Sequence, residues 1–564
     1  MQPLPATQLR WHWTLGLAGV AGILIALGFE PFGLWPATIV GAGLFTWLFA
    51  SRGVAGAAVH GLIVGATLNT LSLHWMAVLG VSVAVGLVAV MSLWFLLLGV
   101  CVALLTRLRY WVLWVPLSWV AVETAAGSFP FGGFPWIRLG ITALNQPLSG
   151  WFAVIGSAGV SLLVALVSNL ILLAIIQAKG RVVGTAVVVS LFGVGGALLF
   201  LPADTPDETV NVGLVQGNVS REQAGYGSPA RSVVGNNLSE TIILLAENRA
   251  NAEEPLDFIM WPENATDIDP LSDATTGRAV ETAVALADIP IMVGAVMDGP
   301  APETRQTSTL WWDPDSGISS RYDKRNLVPF GEWIPMRDLL LPRFPVLEQI
   351  GRQSVPGEGP GVLDAPLTKN EDFKVGTIIC YELAWDSTSY DTITGGAQVL
   401  SSQSNTNTYA GTFEVHQQMA LNQVRALEAR REVIVSTLNG LSGLVDVHGK
   451  IHEETRELTT ANRTFTVPLR SNITPGVILG PWISIAASGL SILALAWAMS
   501  ATFQKRRVGR LHVGTTDRTE AINGRLPSTR QDLGDHPDVQ RGSKHREHHS
   551  SPTGVGSSSS HPRR

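Results

Sequence analysis

Apolar residues run almost unbroken from 11 to 201, interrupted only by short polar stretches. Read as helical spans, they fall at about 11–28, 34–50, 56–78, 80–105, 110–126, 151–177 and 182–201, and an eighth follows at about 476–501. A helix needs about 20 apolar residues to cross a bilayer, so the shorter spans are marginal or nearly untilted. The first is expected to be retained, because no small-residue cleavage site separates it from the next. Residues 128–140 are too rich in Pro, Gly and Phe to span, and are expected to dip into the membrane edge.

Between 208 and 470 the period changes. Short apolar runs read as strands at Val210–Val215, Phe258–Trp261, Ile289–Val296, Val375–Cys380, Gln398–Leu400 and Val433–Thr437. Helical spacing appears at 272–287 and 414–430, the latter with Val415, Met419, Val424 and Leu427 on a stripe best read as core packing. Strands alternating with helices predict βαβ units in a layered α/β domain. The expected organisation is a transmembrane domain over 1–207 with seven helices, an α/β domain over 208–470, an eighth membrane helix over 471–504 and a disordered tail over 505–564. The tail is rich in Ser, Gly, Arg and His and poor in apolar residues.

Charge sets the orientation. Arg52, Arg107, Arg109, Lys179, Arg181 and Lys505–Arg507 all fall on one side if the spans alternate, which makes that side cytoplasmic. The α/β domain is then exported, on the outer face of a plasma membrane. A charged fraction of 15% and a mean hydropathy of +0.25 suit a mixed membrane and soluble chain. A net charge of −6 argues against nucleic acid as a partner. No Gly-rich phosphate loop and no spaced Cys/His set appears, so neither metal nor cofactor is expected; His545, His548 and His549 read as part of the solvated tail. Glu123 is a lone carboxylate within the spans, which speaks against a transporter-like scaffold.

The candidate chemistry starts at Cys380, which ends the run Lys374–Ile379 and precedes Tyr381-Glu382. The other cysteine, Cys101, lies in an apolar span, so a disulfide framework is excluded. A free cysteine is more often a small buried hydrophobe. Two further motifs change that balance: Trp261-Pro262-Glu263 closes another apolar strand, and Tyr322-Asp323-Lys324 leads into Leu327–Glu332. Glu263 can take the thiol proton, Lys324 can stabilise an oxyanion, and Cys380 can hold an acyl group as a thioester. Taken singly, Glu263 and Lys324 would more often form a surface ion pair. The segment 333–349, with Trp333, Leu339 and Phe344 among prolines, is either an apolar loop facing the bilayer or a loop folded on its own domain.

Together these motifs resemble the carbon–nitrogen hydrolase (nitrilase) superfamily. With Phe29–Trp35, Phe129–Trp136, Val215–Asn218 and Arg425–Glu428, they resemble more narrowly its membrane branch of apolipoprotein N-acyltransferases, over roughly residues 11–500. The resemblance implies a four-layer α-β-β-α sandwich. It implies Glu263 as general base, Lys324 as oxyanion stabiliser, Cys380 as nucleophile, Glu332 orienting the lysine, and Glu382 with Tyr381 as supporting positions. Trp333, Tyr226 and Asn405 are the expected substrate contacts. The sequence departs from the family pattern at Asn264, at Thr406–Tyr409 and in lacking a tryptophan after Asn218. The implied reaction moves an acyl chain from a phospholipid donor through Cys380 to the N-terminal amine of a diacylated lipoprotein. An amidase using water as acceptor is the alternative.

Overall fold

The computed structural model describes residues 4–5, 9–50, 52–206, 208–219, 231–251 and 254–523. Its first compact unit ends at Thr502. Seven helices come first: α1 Trp11–Ala26, α2 Trp35–Phe49, α3 Val54–Leu73, α4 Val81–Leu105, α5 Trp111–Ala126, α6 Phe152–Ile176 and α7 Ala178–Leu199. Among the described residues, five helical segments are long and apolar enough to cross a membrane: Val54–Leu79, Val81–Leu105, Pro147–Ile176, Gly180–Leu199 and Pro475–Thr502. Helices α1, α2 and α5 are shorter. Their apolar residues are not confined to one stripe, as expected of helices with no water-facing side.

The α/β half follows with β1 Glu208–Gln216, α8 Ser232–Ala250, β2 Phe258–Met260, α9 Ala274–Ala287, β3 Ile291–Asp298, β4 Thr304–Asp313, β5 Gly317–Asp323, α10 Arg337–Leu340, β6 Gln353–Ser354 and β7 Val362–Asp364. It continues with β8 Lys374–Ile379, α11 Asp386–Thr394, β9 Val399–Ser404, α12 Phe413–Ala429, β10 Val433–Thr437, β11 Gly443–Val445, β12 Ile451–His452 and β13 Ala461–Leu469. A last helix, α13, runs Pro475–Asn523. It continues past the range 471–504 expected for the eighth membrane helix. The expected tail beyond Asn523 lies outside the described residues.

One sheet has the order β13-β1-β2-β3-β4-β5 with β6 beside β4; the other has β12-β11-β10-β9-β8-β7. The sheets face each other across Phe258, Met260, Trp311, Phe373, Val375 and Ile434. Helices α8 and α9 cover the first sheet through Leu244, Val280 and Val284. Helix α12 covers the second, where Met419, Val424 and Leu427 meet Leu400 and Val433. The result is the expected α-β-β-α layering. β4 and β5 were not legible as apolar runs.

The outer face of α12 is not solvent-exposed. It packs on the membrane helices in the same core as Phe45, Trp119 and Phe152, so nearly every residue of α12 is buried. Buried ion pairs tie the halves together. Arg425 bonds Asp386 at 2.9 Å and Glu428 at 2.5 Å, and Arg138 reaches Asp386 at 2.6 Å. Glu428 also accepts from the Ser157 N–H at 2.5 Å. Gly156 breaks α6 with φ 66°, and a Cβ there would lie 2.6 Å from the Tyr390 hydroxyl. The break starts a new helical segment whose free N–H groups suit an anion. Arg425→Met should therefore lower stability by about 3–5 kcal/mol, because Glu428 keeps a buried charge without its cation. A thermal midpoint in detergent equal to that of the parent protein would rule this out.

Candidate active site

Three segments deliver the site. β2 ends at Met260, and Trp261-Pro262 carries the chain to Glu263, which is 4% exposed. Gly294 on the neighbouring β3 permits this, since a Cβ there would sit 2.1 Å from the Pro262 carbonyl oxygen. Asn264 takes φ 54°, a left-handed conformation that Asn tolerates better than most residues. β5 ends at Asp323, and Lys324 follows with its N–H on the Thr307 carbonyl at 2.9 Å. β8 ends at Ile379, and Cys380 follows with φ 52°. A non-glycine residue held there stores of order 1–3 kcal/mol of strain and turns its side chain off the strand line.

Lys324 is 2% exposed and donates to Glu263 Oε1 at 3.2 Å and to Glu332 Oε1 at 2.9 Å. Glu332 Oε2 accepts from the Val328 N–H at 2.7 Å, and Glu263 Oε2 from the Asn405 N–H at 2.7 Å. The structure thus brings together the predicted glutamates and lysine, with Cys380 within electrostatic reach of all three. Behind them, Gln403 spans the two sheets, donating to the Trp261 carbonyl at 2.6 Å and accepting from Thr309 Oγ1 at 2.5 Å.

Glu382 supports the site from below. It accepts from Tyr322 Oη at 2.8 Å, from the N–H groups of Arg325 at 2.8 Å and Asn326 at 3.2 Å, and from the Ile379 N–H at 3.0 Å. One carboxylate therefore fixes the lysine turn against the strand that carries the thiol. Tyr381 Oη donates to the Gly133 carbonyl at 3.1 Å, and its ring stacks on Phe134 and Trp136. Gly133, Phe134 and Trp136 of the stretch 128–140 thus lie directly against the residue beside Cys380. The expected substrate contacts fare differently. Asn405 lends its N–H to Glu263, Trp333 is half-buried in the loop after Glu332, and Tyr226 lies outside the described residues.

Sequence reasoning missed two glutamines on α12. Gln418 donates to Cys380 Sγ at 3.6 Å. Gln417 uses its whole amide: it accepts from Trp75 and Trp136 at 3.1 and 2.9 Å, and donates to the Glu30 and Ser72 carbonyls at 3.2 and 3.0 Å. Phe129, Phe131, Phe330, Met336, Leu339 and Phe344 are exposed apolar residues, and Phe131 and Phe330 are in edge contact at 6.0 Å.

Electrostatics decide the resting state. Burial pushes the Cys380 thiol well above its usual range, and Glu263 and Glu414 add to this against Lys324. Burial would depress the Lys324 ammonium, but Glu263, Glu332 and Cys380 together hold it well above the usual lysine range. Burial raises Glu263, partly countered by Lys324. Lys324 pairs with both carboxylates beside the thiol. Glu263 can take the thiol proton, a transfer that would move charge without adding any, and Lys324 can donate to an oxyanion on an attacked carbonyl.

Comparison with known proteins agrees with this division of the chain. A model described as the apolipoprotein N-acyltransferase N-terminal domain matches residues 21–170, and a carbon-nitrogen hydrolase model matches 212–469. The chain is similar to the apolipoprotein N-acyltransferase of Mycolicibacterium smegmatis, 30% identical over 526 residues that cover 88% of this chain and 87% of that one. It is 28% identical to the enzyme of that name from Coxiella burnetii, over 77% of this chain and 90% of that one. A solved Saccharomyces cerevisiae member of branch 10 of the nitrilase superfamily aligns with 47% of this chain and 93% of its own, at 16% identity and a TM-score of 0.34. An apolar helical half joined to a carbon–nitrogen hydrolase half, matched along nearly the whole of both chains, means that this chain belongs to the apolipoprotein N-acyltransferase family.

Proposed function

We propose that the protein transfers an acyl chain from a membrane phospholipid to the N-terminal α-amine of a diacylglyceryl-modified apolipoprotein, through a thioester on Cys380. The observation that carries this reading is the packing of Tyr381, the residue after Cys380, on Gly133, Phe134 and Trp136 of the apolar half. A nucleophile seated against membrane-embedded segments suits a donor that never leaves the bilayer. The exposed Phe129, Phe131, Phe330, Met336, Leu339 and Phe344 would face lipid and admit the acyl chain.

The catalytic roles are Cys380 as nucleophile, Glu263 as proton carrier and Lys324 as oxyanion donor, with Glu332 and Glu382 orienting Lys324. A phospholipid ester is already activated, so the reaction calls on no nucleotide. Glu263 takes the thiol proton during attack and returns it to the departing lysophospholipid oxygen. Mass spectrometry of lipoprotein N-termini from cells with and without this protein tests the reading. Amide-linked acyl chains on the N-terminal cysteine should vanish in its absence. Unchanged N-termini, with fatty acid released from phospholipid by the purified protein, would instead mark a hydrolase.

The Lys/Arg bias supports a topology with the α/β half on the outer face of the plasma membrane and the C-terminus inside. Reporter fusions after residues 240 and 510 should report opposite sides. The same side for both would contradict that topology.

A further inference from the structure

Glu414 belongs to none of the roles assigned so far. It lies in the first turn of α12, where its N–H meets the capping Thr412 hydroxyl at 3.3 Å. It is 3% exposed, and its Oε2 is fully buried with no hydrogen-bond partner. A buried carboxylate oxygen without a donor is costly and uncommon in folded proteins. One helical turn further on, on the same face, Gln418 touches the sulfur of Cys380. The Glu414 carboxylate is within electrostatic reach of both Cys380 and Glu263.

The second half-reaction leaves a proton without a carrier. The acceptor amine arrives as an ammonium with three hydrogens on nitrogen and ends as an amide with one. Of the two protons shed, one returns through Glu263 to the Cys380 sulfur as the C–S bond breaks. The other must leave the nitrogen before the C–N bond forms. We propose that Glu414 binds the acceptor's α-ammonium through its unpartnered oxygen and takes that first proton, so that the free amine attacks the Cys380 thioester. The inference rests on the acyl transfer proposed above and names the group that recognises the acceptor.

Groups facing Glu414 fit this task. Glu263 and Cys380 face it from the ends of β2 and β8, Tyr409 from the turn before α12, and Glu457 from the loop before β13. On its own helix, His416 turns to Glu457 at 3.8 Å. Burial first, then Glu263 and Glu457, push the Glu414 carboxyl up to about 8. Only its ionised fraction, which grows as pH rises through about 8, can take the proton, and for that fraction transfer from an α-amine at about 7.7–8.0 is nearly balanced, so peptide transfer should rise with pH. Once the amine has reacted, the proton passes to solvent and the carboxylate is restored.

The test separates the two half-reactions in the full chain. Protein in detergent is charged from phosphatidylethanolamine vesicles, the thioester is followed by intact mass, and a synthetic diacylglyceryl-cysteinyl peptide or hydroxylamine is then added. Glu414→Gln should load its thioester as the parent does, yet pass it to the peptide about 10²-fold more slowly at neutral pH, the usual scale of losing a proton carrier. Hydroxylamine, uncharged at neutral pH, should clear the thioester equally from both proteins. Glu414→Asp should recover part of the peptide transfer and keep its rise with pH. Peptide transfer at the parent rate in Glu414→Gln would overturn the inference. So would equal slowing with peptide and hydroxylamine, which marks a structural role. Failure of the parent protein to load a thioester would overturn the proposed function itself, a separate result.

Discussion

Cys380→Ala should give a folded protein with no detectable acyl transfer. The methyl group fits where the thiol sat, so the left-handed backbone at φ 52° and the Gln418 contact are the only local features disturbed. Glu382 still holds Ile379, Arg325 and Asn326, so the lysine turn keeps its place. On the proposed mechanism, what is lost is the atom that carries the acyl group between donor and acceptor, and substrates that use the site in turn have no direct route to replace it. Amide formation on a diacylglyceryl-cysteinyl peptide, followed by mass, measures this. Residual turnover above background in Cys380→Ala would remove the covalent route. Cys101→Ala is the matched control: Cys101 is buried in α4, within a membrane span, and its loss should leave turnover intact.

Lys324→Arg should cost about 10²-fold or more in turnover, the scale of losing one oxyanion donor. The charge survives, but the shape does not. Lys324 sits 2% exposed with a single nitrogen between Glu263 and Glu332, at 3.2 and 2.9 Å. An arginine fork is planar and larger, so it can satisfy both carboxylates only by displacing them. It would also pair with them more firmly and be less free for the oxyanion. Because Asn405 and Val328 hold those carboxylates by their N–H groups, the strain falls on Glu263 and Glu332. Near-parent turnover in a folded Lys324→Arg protein would remove the oxyanion role.

Much of the candidate site was legible in the chain because its residues sit where patterns change. Glu263 and Cys380 each follow a short apolar strand, and Lys324 follows a polar turn before Leu327–Glu332. Such ends are where a buried strand hands a polar side chain to the sheet edge. β4 and β5 were not legible, for a physical reason. Thr307, Ser308 and Thr309 are polar yet buried, satisfied by partners such as Gln403 and Asp323 that only the folded sheets supply. α12 was legible on one face only. Its Val415–Leu427 stripe reads as core and packs as core, but the stripe says nothing of the opposite face. That face carries Gln417, Gln418, Arg425 and Glu428, all buried: Gln417 and Glu428 bond residues of the apolar half, while Gln418 meets Cys380 and Arg425 meets Asp386. A helix with covered faces on both sides has no polar signature distinct from an exposed one. Glu414 was hidden similarly, since an acidic residue in a first turn ordinarily answers the helix dipole at the surface.

Intact-mass analysis of the purified protein after exposure to phospholipid vesicles, with no acceptor present, is the most direct test of covalent acyl transfer. One acyl group should be added per chain, removable by neutral hydroxylamine as a thioester is, mapping to Cys380 and still present in Cys101→Ala. No adduct on the parent protein, or an adduct that persists in Cys380→Ala, would contradict the mechanism.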